Sequence, residues 1–304
     1  MSAANPEPQS DGGLGPFDEE FLRKLELLSV VSKRLLSGQF KAERRARKVG
    51  AGVEFADYRG YVPGDDFRAV DWRAYMRLDR LILRLFEEET DLPIYLFVDA
   101  SRSMGTDGGK KLDYAKKVAA ALAYIGLSNL DRVNLVVFAE GIIEELPAQR
   151  AKGQIFSILR FLSRVQASHE TNAGEAFHRF FTAKRRRGMT VAISDFFDPH
   201  GATKAFDIVR YRRQDLLAVH VASPQDMSPR LNGEVTLIDS ETRQPQDVTV
   251  TPTLLQAYEE EYDRYCDELE RYCTLYGFSY VRTITEHPFE DLILQVMRQG
   301  RFLS

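Results

Sequence analysis

Cysteine is scarce in this chain: among 304 residues there are two, Cys266 and Cys273. They stand seven apart in a segment of helical pattern, roughly two turns along one face, too far to bridge each other. Both are expected as reduced core residues. No run of about 18 apolar residues occurs, so no membrane span is expected. The opening "MSAANPEPQSDGGLGP" has neither the basic head nor the apolar run of a signal peptide and reads as a disordered tail, residues 1–16; the expected location is cytoplasmic. Neither sign of charge dominates, with 41 basic against 45 acidic residues and a net charge of -4, so no global field favours nucleic acid or an anionic membrane. Five histidines, His169, His178, His200, His220 and His287, are scattered without metal-ligand spacing. There is no G-x-x-x-x-G-K-[ST] loop to bind ATP and no G-x-S-x-G elbow for a serine hydrolase.

What is present is an alternation of apolar strands and amphipathic helices. Phe21, Leu25, Leu28, Val31 and Leu35 recur at helical spacing, with Asp18 as cap and Gly38 as stop. A basic run, 41–48, and a segment dense in glycine, aromatics and paired charges complete an N-terminal α+β part over residues 17–90. From residue 92 the pattern is that of an open α/β sheet over 91–300. "PIYLFVD" is too apolar for a one-sided strand and belongs in the middle of the sheet. The following helix aligns Leu112, Ala115, Val118, Leu122 and Ile125. "RVNLVVFAEGIIEELP" predicts an antiparallel hairpin turning at Glu140 and Gly141. "GMTVAISDFFD" is a second continuous apolar run ending in aspartate, and "DLLAVHVAS" repeats the unit. An exposed hairpin, a helix opened by Thr251 and Pro252, a strand "FSYVRTIT" and a last helix follow.

Asp99 and Asp195 each end an apolar strand, where open α/β sheets place their ligand crevice. If the strands are neighbours, both carboxylates enter one crevice with Ser101 and Ser103. Such a set is all hard oxygen, which suits Mg²⁺ rather than zinc or copper. "DASRSM" resembles the D-x-S-x-S signature of the von Willebrand factor A fold, whose metal-ion-dependent adhesion site adds a threonine and a later aspartate; Thr171 in "HETNAGEAF" and Asp195 in "ISDFFD" match them in order. "EFADYRGYVPGDDFRAVDWRAYMR" resembles the hallmark of the domain-of-unknown-function 58 family, in which it precedes such a domain. The resemblances cover about residues 50–300. They imply a von Willebrand factor A-like, mostly parallel sheet with helices on both faces, and Mg²⁺ or Mn²⁺ held by Asp99, Ser101, Ser103, Thr171 and Asp195, with one position left for an Asp or Glu of a protein partner. They further imply an adaptor rather than an enzyme, working beside a MoxR-type AAA+ ATPase on a client protein.

Blander readings stand beside these. Asp99, Ser101 and Ser103 are also ordinary turn-capping residues. Pro63 and Gly64 suit a type II turn, and Asp65, Asp66 and Asp71 among Arg59, Arg68 and Arg73 read as a salt-bridged clasp around Trp72, ahead of a partner surface or a second ion site. "KAERRARK" and "KRRRG" lack interleaved aromatics and read as solvated faces. The alternative function is a Mg²⁺-dependent phosphoryl-transfer hydrolase with Asp99 as nucleophile, in which Ser101 stands where such enzymes carry a second aspartate and no lysine partner can be assigned.

Overall fold

The computed structural model describes residues 16–46, 49–50, 54–87, 93–183, 186–239 and 244–298. The expected tail lies outside these, apart from residue 16. Helix α1 (Glu19–Ala46) begins at Asp18, whose carboxylate accepts the Phe21 N–H at 2.7 Å. It runs through Gly38 instead of stopping there, since one interior glycine costs a helix only about 1 kcal/mol. Phe17, Phe21, Leu25 and Leu28 are buried in the main core, Phe21 against Phe289, and Lys24 pairs with Glu290 at 2.7 Å.

A small antiparallel sheet follows in the order β1 (Val49–Gly50), β3 (Ile82–Glu87), β2 (Glu54–Gly60), with helix α2 (Trp72–Leu78) between the second and third strands. In the turn 62–65 the Asp65 N–H donates to the Val62 carbonyl, and Gly64 takes φ +109°, a left-handed value that a type II turn requires at its third position.

The main sheet has six strands: β4 (Pro93–Asp99), β5 (Arg132–Phe138), β6 (Ile142–Gln149), β7 (Met189–Ser194), β8 (Asp215–Ala222) and β11 (Ser279–Ile284). Their order is β11-β8-β7-β4-β5-β6, parallel except for the β5–β6 hairpin at one edge. Every residue of β4 is buried, as a central strand covered on both faces must be. Its side chains alternate between two cores. Ile94, Leu96 and Val98 face α1, α3 (Lys110–Ser128), α4 (Ile155–Ser163) and α9 (Phe289–Arg298); Tyr95 and Phe97 face α5 (Ala173–Thr182), α6 (Thr203–Tyr211) and α8 (Pro252–Leu275). Short α7 (Pro224–Met227) caps the end of β8, and β9 (Gly233–Ile238) pairs with β10 (Pro245–Val250) as the expected outlying hairpin. This is the open doubly wound sheet expected of a von Willebrand factor A-like domain.

The chain leaves β4 toward β5 on one side and returns through β7 on the other, so strand order reverses between β4 and β7. Their direct pairing makes this the switch point. Gly188 allows the approach: a Cβ there would lie 2.1 Å from the Pro93 carbonyl oxygen.

Candidate metal centre

Asp99 is the last residue of β4 and Asp195 the first after β7, so adjacent strands deliver both carboxylates to one point. Each is fully buried. The Asp99 carboxylate accepts from the Ser101 N–H at 2.8 Å and, through its second oxygen, from the Ser194 hydroxyl at 2.5 Å. Ser101 and Ser103 hydroxyl oxygens lie 3.0 Å apart, and Ser103 donates to Asp195 at 3.2 Å. Thr171 arrives from a loop stitched to the same place. Ser168 N–H donates to the Ala100 carbonyl, Arg102 N–H to that of His169, and Asn172 N–H to that of Ala139. Asn172 then caps α5 by accepting from Glu175 N–H at 3.0 Å, leaving Thr171 one residue outside the helix and buried. His169 is an exposed loop residue with φ +63°.

The loop after Asp195 is held under strain. Phe196 has φ +56°, uncommon for a bulky side chain, and is kept there by its N–H donating to Ser194 Oγ and its carbonyl accepting from Tyr265. Its ring is buried against Phe206 and His220. The same turn brings the Phe197 N–H to Asp195 Oδ1 at 3.2 Å.

Two residues of the cluster were not among the candidates. Lys111, at the start of α3, is 1% exposed and reaches Asp195 Oδ2 at 2.8 Å and Asp226 Oδ2 at 3.0 Å. Its ammonium also lies 5.6 Å from the Phe197 ring centroid. Burial pushes its pKa down, but Asp195 and Asp226 outweigh that and hold it above the ordinary lysine value. Asp226 belongs to α7, where its carboxylate also accepts from the Ser223 N–H in a capping box. A signal for Lys111 existed: it stands four residues before Ala115, on the apolar stripe of α3, where an unpartnered lysine is out of place.

Electrostatics set the character of the site. Burial, and next the charge of Asp195, push the Asp99 carboxyl up from 3.8 to about 7, against the hydrogen bonds from Ser194 and Ser101. Lys111, at Asp195, brings one positive charge to these two crowded carboxylates in a dry site. Among the described residues no three His, Cys, Asp or Glu side chains converge as a ligand cluster. The candidate set is of another kind, two carboxylates with three hydroxyls on a rigid strand-end frame, and its all-oxygen chemistry fits a hard divalent cation.

The PGDD block builds local structure. Arg59 pairs with Asp65 at 2.7 Å, Asp66 caps a 3₁₀ turn through the Arg68 N–H, and Asp71 caps α2 through the N–H groups of Arg73 and Ala74 while accepting from the Tyr58 hydroxyl. Trp72 is not enclosed by this clasp; it is 54% exposed, with Tyr75 against its edge.

A family model described as "Protein of unknown function DUF58" matches residues 57–267. The chain belongs to the DUF58 family. The match contains both the PGDD block and all five candidate ligands. Uncharacterized proteins of Mycobacterium tuberculosis and Mycobacterium bovis are 27% identical to this DUF58 chain over 242 residues, which cover 78% of it and 76% of each relative. Similar solved structures include conserved hypothetical protein BatB of Bacteroides thetaiotaomicron (16% identity, 68% of this chain and 98% of that one, TM-score 0.43). Another is the manganese-loaded TRAP protein of Plasmodium vivax (16% identity, 42% and 56% covered, TM-score 0.31). Among the described residues, no helix is long and apolar enough to cross a membrane.

Proposed function

We propose that this DUF58 protein is a metal-dependent protein-interaction module: Asp99, Ser101, Ser103, Thr171 and Asp195 hold Mg²⁺ or Mn²⁺, and the ion receives an Asp or Glu side chain of a partner. The observation that supports it best is convergence. Residues from three separate segments, 99–103, 171 and 195, are gathered at the switch point of the sheet, and each is buried. The bound cation supplies a Lewis-acidic position that prefers a carboxylate over a neutral oxygen. The partner is proposed to be a MoxR-type AAA+ ATPase or the client it acts on, an assignment that rests on the family resemblance alone.

Calorimetry of the purified chain with MnCl₂ tests the metal. Binding is expected, and Asp99→Ala or Thr171→Ala should weaken it at least tenfold; titration curves indistinguishable from wild type would remove the site. For the partner, capture from native cells should fail in excess EDTA and with Ser101→Ala/Ser103→Ala. Equal capture in all arms would move the contact elsewhere, with the PGDD surface next.

One observation favours the second reading, a Mg²⁺-dependent phosphoryl-transfer hydrolase: Lys111 brings a buried ammonium to the cluster. Against it, both oxygens of Asp99 are already hydrogen-bonded and the residue is fully buried, which is a poor posture for a nucleophile. Hydrolysis of a generic phosphate monoester with Mg²⁺, lost in Asp99→Asn, would support it.

A further inference from the structure

The cluster carries a cation of its own. Lys111 Nζ lies between Asp195 and Asp226, within 3.0 Å of both, sealed from solvent and backed by the Phe197 ring. A buried lysine requires a reason, because its charge is costly to desolvate and is tolerated only where carboxylates repay it. Here the debt runs both ways: Asp195 and Asp226 are themselves buried or nearly so, and among the described residues Lys111 is the cationic side chain that contacts them. The three residues come from α3, the loop after β7, and α7, so the ammonium also ties together the loops that follow β7 and β8.

We propose that Lys111 is the built-in counter-cation of this site: it neutralises Asp195 when no metal is bound, so that the domain folds without an ion, and by standing against the same carboxylate it weakens divalent-cation binding. The inference rests on the metal-binding reading above. Lys111 brings one positive charge to the two carboxylates it contacts, Asp195 and Asp226, with the Asp99 carboxyl beside Asp195, so a divalent ion at Asp195 is still attracted but meets a competing cation on the same carboxylate. Removing Lys111 leaves the carboxylates in excess, which both destabilises the metal-free fold and makes the ion more strongly held. The placement is a positioning role as well, since the ammonium holds Asp195 Oδ2 and leaves Oδ1 directed at Ser103 and the Phe197 N–H.

Lys111→Met, which keeps the length and apolar stem of the side chain, separates these effects. Thermal melts in EDTA and in saturating MnCl₂, with calorimetric titration by Mn²⁺, are run on wild type and variant. The variant should melt lower than wild type in EDTA, recover more with Mn²⁺ than wild type gains, and bind Mn²⁺ about tenfold more tightly, because a unit positive charge in contact with a candidate ligand carboxylate has been removed. A lysine that served packing alone would lower the melting temperature equally with and without metal and leave affinity unchanged; that result overturns the inference while the metal site stands. If neither protein responds to Mn²⁺, the metal-binding reading itself fails. Should Lys111→Met not fold in either buffer, Lys111→Met/Asp226→Asn is compared with Asp226→Asn alone, from which it differs only by the ammonium: tighter Mn²⁺ binding in the double variant upholds the counter-cation, and equal or weaker binding overturns it.

Discussion

Asp99 offers a test in which the same substitution should stabilise the protein and disable the site. Its carboxyl is pushed from 3.8 to about 7 by burial and then by Asp195, so between those pH values the folded chain keeps a proton that the unfolded chain has released. Stability contributed by that proton is complete below about pH 4 and lost as pH rises through about 7. Held ionised above that point, the buried carboxylate costs the metal-free fold on the order of 4 kcal/mol. Asn has nearly the same shape and no charge to bury. Its carbonyl can accept the Ser101 N–H and its amide can face Ser194 in place of the second carboxylate oxygen. Urea unfolding in EDTA should therefore show Asp99→Asn gaining on wild type by roughly 3 kcal/mol between pH 5 and pH 8, with the gain levelling off above about pH 7. Adding Mg²⁺ or Mn²⁺ should reverse the order at pH 8, because wild type gains binding energy and the variant does not. A stability difference that stays flat with pH, or a variant that keeps the full metal response, would refute the reasoning.

Two further outcomes follow from the packing around the site. Phe177 is buried and stacks on Phe97 at 4.0 Å between ring centres, two residues before Asp99 on β4. Phe177→Ala should cost about 3–5 kcal/mol, and because α5 carries Thr171 at its entrance, it should also weaken Mn²⁺ binding, whereas Leu122→Ala on the opposite face should lower stability alone, as unfolding and calorimetry together would show. His220 is held neutral: burial first, and then the charge of Arg282, push its pKa down to about 3, while Nδ1 shares a 2.6 Å hydrogen bond with Tyr280. The unfolded chain takes up a proton below pH 6.5 that the folded chain refuses, so this residue should remove about 2 kcal/mol of stability between pH 7 and pH 5, opposing the gain from Asp99; ring chemical shifts that titrate near 6.5 in the folded protein would contradict it.

Local pattern carried much of the fold. Continuous apolar runs fixed β4, β7 and β8 as buried strands because a strand covered on both faces has no polar side, and the stripe of α3 followed from 3.6-residue periodicity. The strand-end positions of Asp99 and Asp195 were likewise legible, since each closes a continuous apolar run, whereas Thr171 was reached only through the family resemblance. Gly38 misled because a glycine that stops one helix is tolerated inside another. Only the tertiary structure decided that β4 and β7 are neighbours, and therefore that Asp99 and Asp195 share a crevice; sheet order depends on how crossovers pack, which no single segment encodes. It also decided that Lys111 meets Asp195 and Asp226, residues far from it in sequence. Charge energetics in a buried site depend on distances of a few ångströms between residues far apart in sequence, and those distances exist only once the sheet has closed its two cores.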